Sequence, residues 1–259
     1  MNDPMDFAVN LALQTGDLLQ KYYNPAGIHA SSKPDQTVVT EADLAADKLI
    51  SEQIKKHFPR DGIVSEESSH FAEDPGFPTW VIDPLDGTTN FSLGLAIWGV
   101  SIARLVNGYP ELGAIYFPRL NELYTTSRGV GAYFNNTPIS TQAPNPAQPM
   151  SFFACCSRSF RNFNISVPYK PRIMGSSTYI FSMVARGTAL LGLDTTPKIW
   201  DLAAVWLLVE EAGGIMSTFE GLPPFPISPN VDYSTTSYTI LAAATQKLLK
   251  MGRKKIQRK

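Results

Sequence analysis

The stretch Trp80-Val81-Ile82-Asp83-Pro84-Leu85-Asp86-Gly87-Thr88-Thr89-Asn90-Phe91 runs an apolar, strand-like segment into two carboxylates three residues apart. A glycine and two hydroxyls follow. In α/β enzymes the reactive groups collect where strands end. Two acids this close repel each other unless a cation lies between them. A donor set made only of oxygen favours a hard ion such as Mg²⁺. Gly87 permits a sharp turn, and Gly-Thr-Thr offers N–H groups and hydroxyls to an anion. A cation site beside an anion pocket suits phosphoryl transfer or phosphate-ester hydrolysis.

Other candidate residues carry two readings each. Asp83 to Gly87 also reads as a turn, which explains Pro84 and Gly87 but not two acids abutting a buried strand. Glu66 and Glu67 are adjacent, so one of them faces the site. Asp201 opens a helix with an apolar face of Leu202, Val205, Leu208 and Val209, closed by Gly213-Gly214. An Asp there also complements the helix dipole. Thr40-Glu41-Ala42-Asp43 has the form of a capping box. His29, His57 and His70 match no motif and are expected at the surface. Cys155 and Cys156 are neighbours, a strained arrangement for a disulfide, and are expected as buried strand residues.

The elements that must position these groups are read from periodicity. Residues 5–23 give a helical stripe, and 40–58 give a second helix stopped by Pro59. A short strand at 62–65 leads into Glu66. Strands at 97–106, 111–117, 123–126 and 131–134 form an antiparallel meander, with Asn107-Gly108 as a hairpin turn. The Pro-rich residues 141–150 separate an N-terminal half, about 1–140, from a C-terminal half, about 151–259, within one unit of 1–259. The second half holds a strand at 151–156, a helix from Ser176, a strand at 188–193, the helix from Asp201, and short strands near 215–219 and 238–243. This mixed order indicates layered α/β (α+β) packing.

Composition is ordinary for a globular protein of 259 residues with net charge −1. No global basic field recruits nucleic acid. No signal peptide and no run of ~18 apolar residues is seen, so a cytoplasmic protein away from the membrane is expected. The basic end Lys250–Lys259 reads as a solvated tail on the last helix.

Asp83–Phe91 resembles the first signature of the inositol monophosphatase family, and Trp200–Gly214 resembles the second. Val38–Asp43 and Ser65–Ser68 match two further pieces, in the family's order. The resemblance implies the five-layered α-β-α-β-α sugar-phosphatase fold. It implies a Mg²⁺-dependent, lithium-sensitive phosphomonoesterase with two or three ions, Mn²⁺ substituting in part, and a homodimer. It makes Glu66, Asp83, the carbonyl of Leu85, Asp86 and Asp201 the metal ligands. Glu66, Thr88 and Asp43 serve the nucleophilic water. Asp86, Gly87, Thr88, Thr89, Gly175, Ser176, Ser177 and Asp194 line the substrate.

The chain departs from the family pattern in two places: Asp194 stands where a glutamate is frequent, and the segment between Cys156 and Gly175 is short. The substrate class implied is inositol monophosphate or a small sugar or polyol phosphate. Histidinol phosphate and fructose 1,6-bisphosphate are the alternatives within the superfamily. Nucleotide-specific members carry Lys-Glu where Thr89-Asn90 stands here. The haloacid dehalogenase motif Asp-x-Asp-Gly-Thr differs from Asp83–Thr88 by one residue of spacing. A non-enzymatic phospholigand-binding protein on the same fold is the alternative from another class.

Overall fold

The structure, a computed structural model, describes residues 3–28, 31–32, 38–72, 76–145, 151–229 and 231–259. Helix α1 (Pro4–Tyr22) is capped by Asp3, whose carboxylate accepts from the N–H groups of Met5 and Asp6. Strands β1 (Ser31–Ser32) and β2 (Val38–Val39) pair antiparallel ahead of α2 (Glu41–His57). Then come β3 (Gly62–Ser65), β4 (Thr79–Asp86), the short α3 (Thr88–Ser92), β5 (Gly99–Val106), β6 (Tyr109–Phe117), β7 (Glu122–Ser127), β8 (Gly131–Phe134) and β9 (Thr137–Ile139). Strands β3 to β9 make a seven-stranded sheet in chain order, with β3 parallel to β4 and the remaining pairs antiparallel. Asn107 and Gly108 both have positive φ, the conformation a tight hairpin needs.

The second half adds β10 (Phe152–Cys155), α4 (Ser159–Asn162), β11 (Phe163–Ile165), β12 (Lys170–Ile173), α5 (Ser177–Ala185), β13 (Ala189–Asp194) and α6 (Ile199–Glu211). It ends with β14 (Ile215–Thr218), β15 (Ile240–Ala243), α7 (Gln246–Lys255) and β16 (Ile256–Arg258). Its five-stranded sheet has the order β12-β10-β13-β15-β14.

Strand alternation builds the layers. Trp80, Ile82 and Ile102 face α1 and α2, where Phe7, Leu11, Ile50 and Ile54 pack. Val81, Ala103 and Ile115 face the other way, onto α6, and α5 packs beside α6 and against Gly192 of the second sheet. Helix α7 covers the far side, where Gly252 lies against Leu241 and Leu191. The order is therefore α-β-α-β-α. Strand β4 lies between β3 and β5 with helices on both faces, so all eight of its residues are buried. That burial carries Asp83 and Asp86 into the interior. The ladder to β5 slips between them, with Asp83 opposite Ser101 and Asp86 opposite Gly99. Pro84 has no N–H to give a ladder bond there, and such bulges re-aim side chains.

Three expectations change. Helix α6 starts at Ile199, so Asp201 sits inside its first turn. The end of the chain is not a solvated tail: after α7 it forms β16, paired with β11 through Ile165–Ile256, and Ile256 is fully buried. His70 is not a free surface residue, because its Nε2 lies 3.0 Å from the Glu66 carbonyl oxygen. His57 is exposed as expected, and His29 lies outside the described residues, as do 146–150 of the linker. Cys155 is buried in β10, Cys156 is half-buried just beyond it, and both are free thiols.

Candidate metal and phosphate site

One carboxylate oxygen from each of Asp83, Asp86 and Asp201 lies within 4.8 Å of the others. Each acid is fixed by a different device. Asp83 Oδ1 accepts the N–H of Leu85 at 3.0 Å. Asp86 accepts from the N-terminus of α5: the N–H of Ser177 (3.1 Å), the N–H of Thr178 (2.9 Å), and both the Ser176 and Thr178 hydroxyls. Asp201 reaches back from the first turn of α6, its Oδ2 accepting the Lys198 N–H at 2.6 Å.

The cluster is electrostatically unfavourable by itself. Burial pushes the Asp83 carboxyl well above the usual range, and Glu66, Asp86 and Asp201 push it further. Burial, then Asp86 and Glu66, do the same to Asp201. Asp86 is also raised by burial, against the pull of its donors. The charge of Glu66 acts on both Asp83 and Asp201. Buried like charges of this kind are relieved by a cation. The donors are all oxygen and anionic, which fits a hard divalent ion.

Asp43 divides its carboxylate. Oδ2 accepts the Thr40 N–H (2.8 Å) and the Thr40 hydroxyl (2.6 Å), completing the cap of α2. Oδ1 accepts the Thr88 hydroxyl at 3.0 Å. Thr88 Oγ1 also lies 3.0 Å from the carbonyl oxygen of Leu85. Asp43 thus caps α2 and holds the Thr88 hydroxyl at once. Asp43 is 1% exposed, and burial raises its pKa more than its hydrogen bonds lower it.

At the rim, Gly87 adopts the left-handed conformation (φ 89°) that turns β4 into α3, leaving Thr89 exposed beside half-buried Thr88. Ser177 Oγ donates to Asp194 at 2.6 Å, and Thr196 N–H reaches the other Asp194 oxygen at 3.3 Å. Ser176 is 3% exposed, and its hydroxyl serves Asp86 and the Tyr179 N–H. Gly175 needs φ +72°, and a Cβ there would lie 2.6–3.0 Å from the Asn90 amide.

Several residues were not singled out from sequence. Asn90 joins the halves, its Nδ2 donating to the carbonyls of Ile97 (2.7 Å) and Met174 (2.8 Å). Asp47, one turn after Asp43, is buried and accepts the Ser65 hydroxyl, fixing the residue before Glu66. Its i+4 spacing from Asp43 was the one available signal. Thr178 acts on Asp86 across 92 residues and left none.

A five-layered α/β fold with a buried, all-oxygen acid cluster at a strand end, and a carboxylate–hydroxyl pair beside it, defines a class: the metal-dependent sugar-phosphatase fold. The model of the inositol monophosphatase family matches residues 1–257, and the chain belongs to that family of phosphatases. It is 35% identical to a histidinol-phosphatase of Chlorobaculum parvum over 85% of this chain and 88% of that protein. It is 34% identical to the Nus factor SuhB of Escherichia coli (strain K12), over 89% and 91%. The crystal structure of the extragenic suppressor protein suhB from Bartonella henselae superposes with a TM-score of 0.80 at 29% identity, covering 96% of each chain.

Proposed function

We propose that this protein is a Mg²⁺-dependent phosphomonoesterase acting on inositol monophosphate or a related small sugar or polyol phosphate. The observation that carries the reading is the convergence of Asp83, Asp86 and Asp201 within 4.8 Å beside the Asp43–Thr88 pair. Glu66, Asp83, Asp86, Asp201 and the Leu85 carbonyl would hold two or three ions. Bound there, the metal supplies Lewis-acid activation of water and neutralises phosphate charge. The chain's own residues do the rest. Asp43 Oδ1 holds the Thr88 hydroxyl; Thr88 Oγ1 would accept the proton of the nucleophilic water as its own hydroxyl proton passes to the Asp43 carboxylate. Gly87, Thr88 and Thr89 present N–H groups to phosphate oxygens at the turn into α3. Asp194 and Ser177 meet the substrate's hydroxyls.

Two further readings have specific support. A relative named histidinol-phosphatase favours an amino-alcohol phosphate, whose ammonium would pair with Asp194. A relative named Nus factor favours a non-hydrolytic role on the same fold. The reading also carries Li⁺ inhibition, a cytoplasmic location and a homodimer.

Phosphate release from a panel of inositol, sugar and amino-alcohol phosphomonoesters tests all three. The expected result is hydrolysis that needs Mg²⁺, is met in part by Mn²⁺, and is lost on chelation. Full activity after exhaustive chelation would overturn the metal-dependent reading. Binding without turnover of any ester would favour the non-hydrolytic one.

A further inference from the structure

The connection after β14 leaves its own half of the molecule. The Ile227 N–H donates to the Gly108 carbonyl, in the β5–β6 turn, at 2.9 Å. Residues 231–239 then touch both segments that carry the outer ligands. On one side the Tyr233 N–H donates to the His70 carbonyl at 3.0 Å. His70 Nε2 in turn lies 3.0 Å from the Glu66 carbonyl oxygen, which only accepts, so the ring donates. On the other side the Lys198 ammonium donates to the Ser234 carbonyl, while the Lys198 backbone N–H holds Asp201 Oδ2. The Tyr238 N–H donates to the Pro197 carbonyl at 2.9 Å, and the Thr239 hydroxyl to the Thr195 carbonyl at 3.1 Å.

The segment itself is braced. Tyr233 is 3% exposed, and its hydroxyl accepts the Ser228 N–H at 2.7 Å. Asp232 Oδ1 accepts both the N–H (2.9 Å) and the hydroxyl (2.6 Å) of Ser234. The His70 ring lies 6.0 Å from that of Trp200, the neighbour of Asp201.

Asp83 and Asp86 share one strand, so their separation is set locally. Glu66 and Asp201 come from opposite halves, which meet through β3–β4 pairing and the packing of α6 on β4, and residues 231–239 add a direct tie between their two segments. We propose that residues 231–239 form a strap that sets the spacing of Glu66 and Asp201, and that His70 and Lys198 are the positioning residues through which it acts. The proposal rests on the metal-dependent reading above. A small divalent ion that demands near-ideal octahedral geometry tolerates little drift in its ligands. Groups that orient ligands without touching the metal are worth about 10–100-fold in its affinity.

The test uses the full chain stripped of metal and Mn²⁺ as probe, with free Mn²⁺ read by electron paramagnetic resonance. Lys198→Met keeps the aliphatic stem and removes the donor. His70→Phe keeps the ring against Trp200 and removes the donor. Each is expected to weaken Mn²⁺ binding about 10–100-fold. The Mg²⁺ needed for half-maximal hydrolysis should rise in step, and metal-free melting temperatures should stay close to the parent's. Lys198→Arg should recover most of the affinity. Mn²⁺ affinity within about twofold of the parent in the variants that fold would overturn the strap. So would a loss that Lys198→Arg fails to recover. A parent that neither binds Mn²⁺ nor hydrolyses any ester removes the functional reading, and the strap with it. A parent that does both, with variants that bind equally well, removes the strap alone.

Discussion

Asp43 serves two neighbours with its two oxygens, and that division decides what a substitution there does. An amide at this position turns one acceptor into a donor whichever way it lies. With the amide nitrogen toward Thr88 the Thr40 cap is kept, and the Thr88 hydroxyl can only accept from the amide while it donates to the Leu85 carbonyl. Asp43→Asn is expected to lower turnover by roughly two orders of magnitude or more, the scale of acid–base assistance. Its thermal midpoint should stay close to the parent's, whereas Asp43→Ala should cost about 1 kcal/mol, the scale of a cap. Turnover at saturating Mg²⁺ and the thermal midpoint check both, and near-parent turnover would remove Asp43 from the reacting groups. The capping motif was legible in Thr40–Asp43, and the family resemblance assigned Asp43 and Thr88 to the same water. That one carboxylate does both was not legible, because sequence carries no information on which oxygen faces where. Thr178 was hidden for a related reason: its link to Asp86 spans 92 residues.

Among elements, legibility followed local pattern. The meander β5–β8, the helices α1 and α2 and the fully buried β4 declare themselves by period, turn residues and apolar content. Strand β12 does not: all four of its residues are exposed at a sheet edge, so no alternation marks it. Strands β11 and β16 are three residues each and exist because they pair with one another. The turn before α5 is the junction where both halves meet the site. Asn90 is held by two carbonyls and cannot retreat from an added methyl at Gly175. Gly175→Ala, at φ +72°, is therefore expected to cost about 1–3 kcal/mol. Denaturant unfolding in excess Mg²⁺ measures it, and an unchanged midpoint would show that the turn has slack. Because Ser176, Ser177 and Thr178 follow directly, the Mg²⁺ requirement should rise as well.

Over the whole molecule, the acid cluster links metal, protons and stability. Asp83, Asp86 and Asp201 have raised pKa values in the metal-free fold. A raised carboxylate favours folding below its unfolded pKa and loses that contribution as pH rises through its folded value. Metal-free protein therefore forfeits stability from this cluster toward neutral pH. Mg²⁺ binding, which needs the same groups deprotonated, strengthens over that range. The rise in melting temperature on adding Mg²⁺ should be larger at about pH 8 than at about pH 5. Equal increments at both would mean that the cluster does not carry the metal. The layered order was legible from the family motifs, while the ordered chain end was not, since its charges masked a buried Ile256.

The β11–β16 pair also sets when this outer seam can close. Synthesis delivers the N-terminus first, and domains tend to fold as they emerge. The seven-stranded sheet is complete by Ile139 and joins neighbours in sequence, so each of its strands has its paired strands early, while α6 covers its inner face later. The outer layer waits: β11 has no companion until Ile256, Gln257 and Arg258 have been made. An early stop codon or a carboxy-terminal fusion thus acts on the closing seam of the molecule rather than on a loose end.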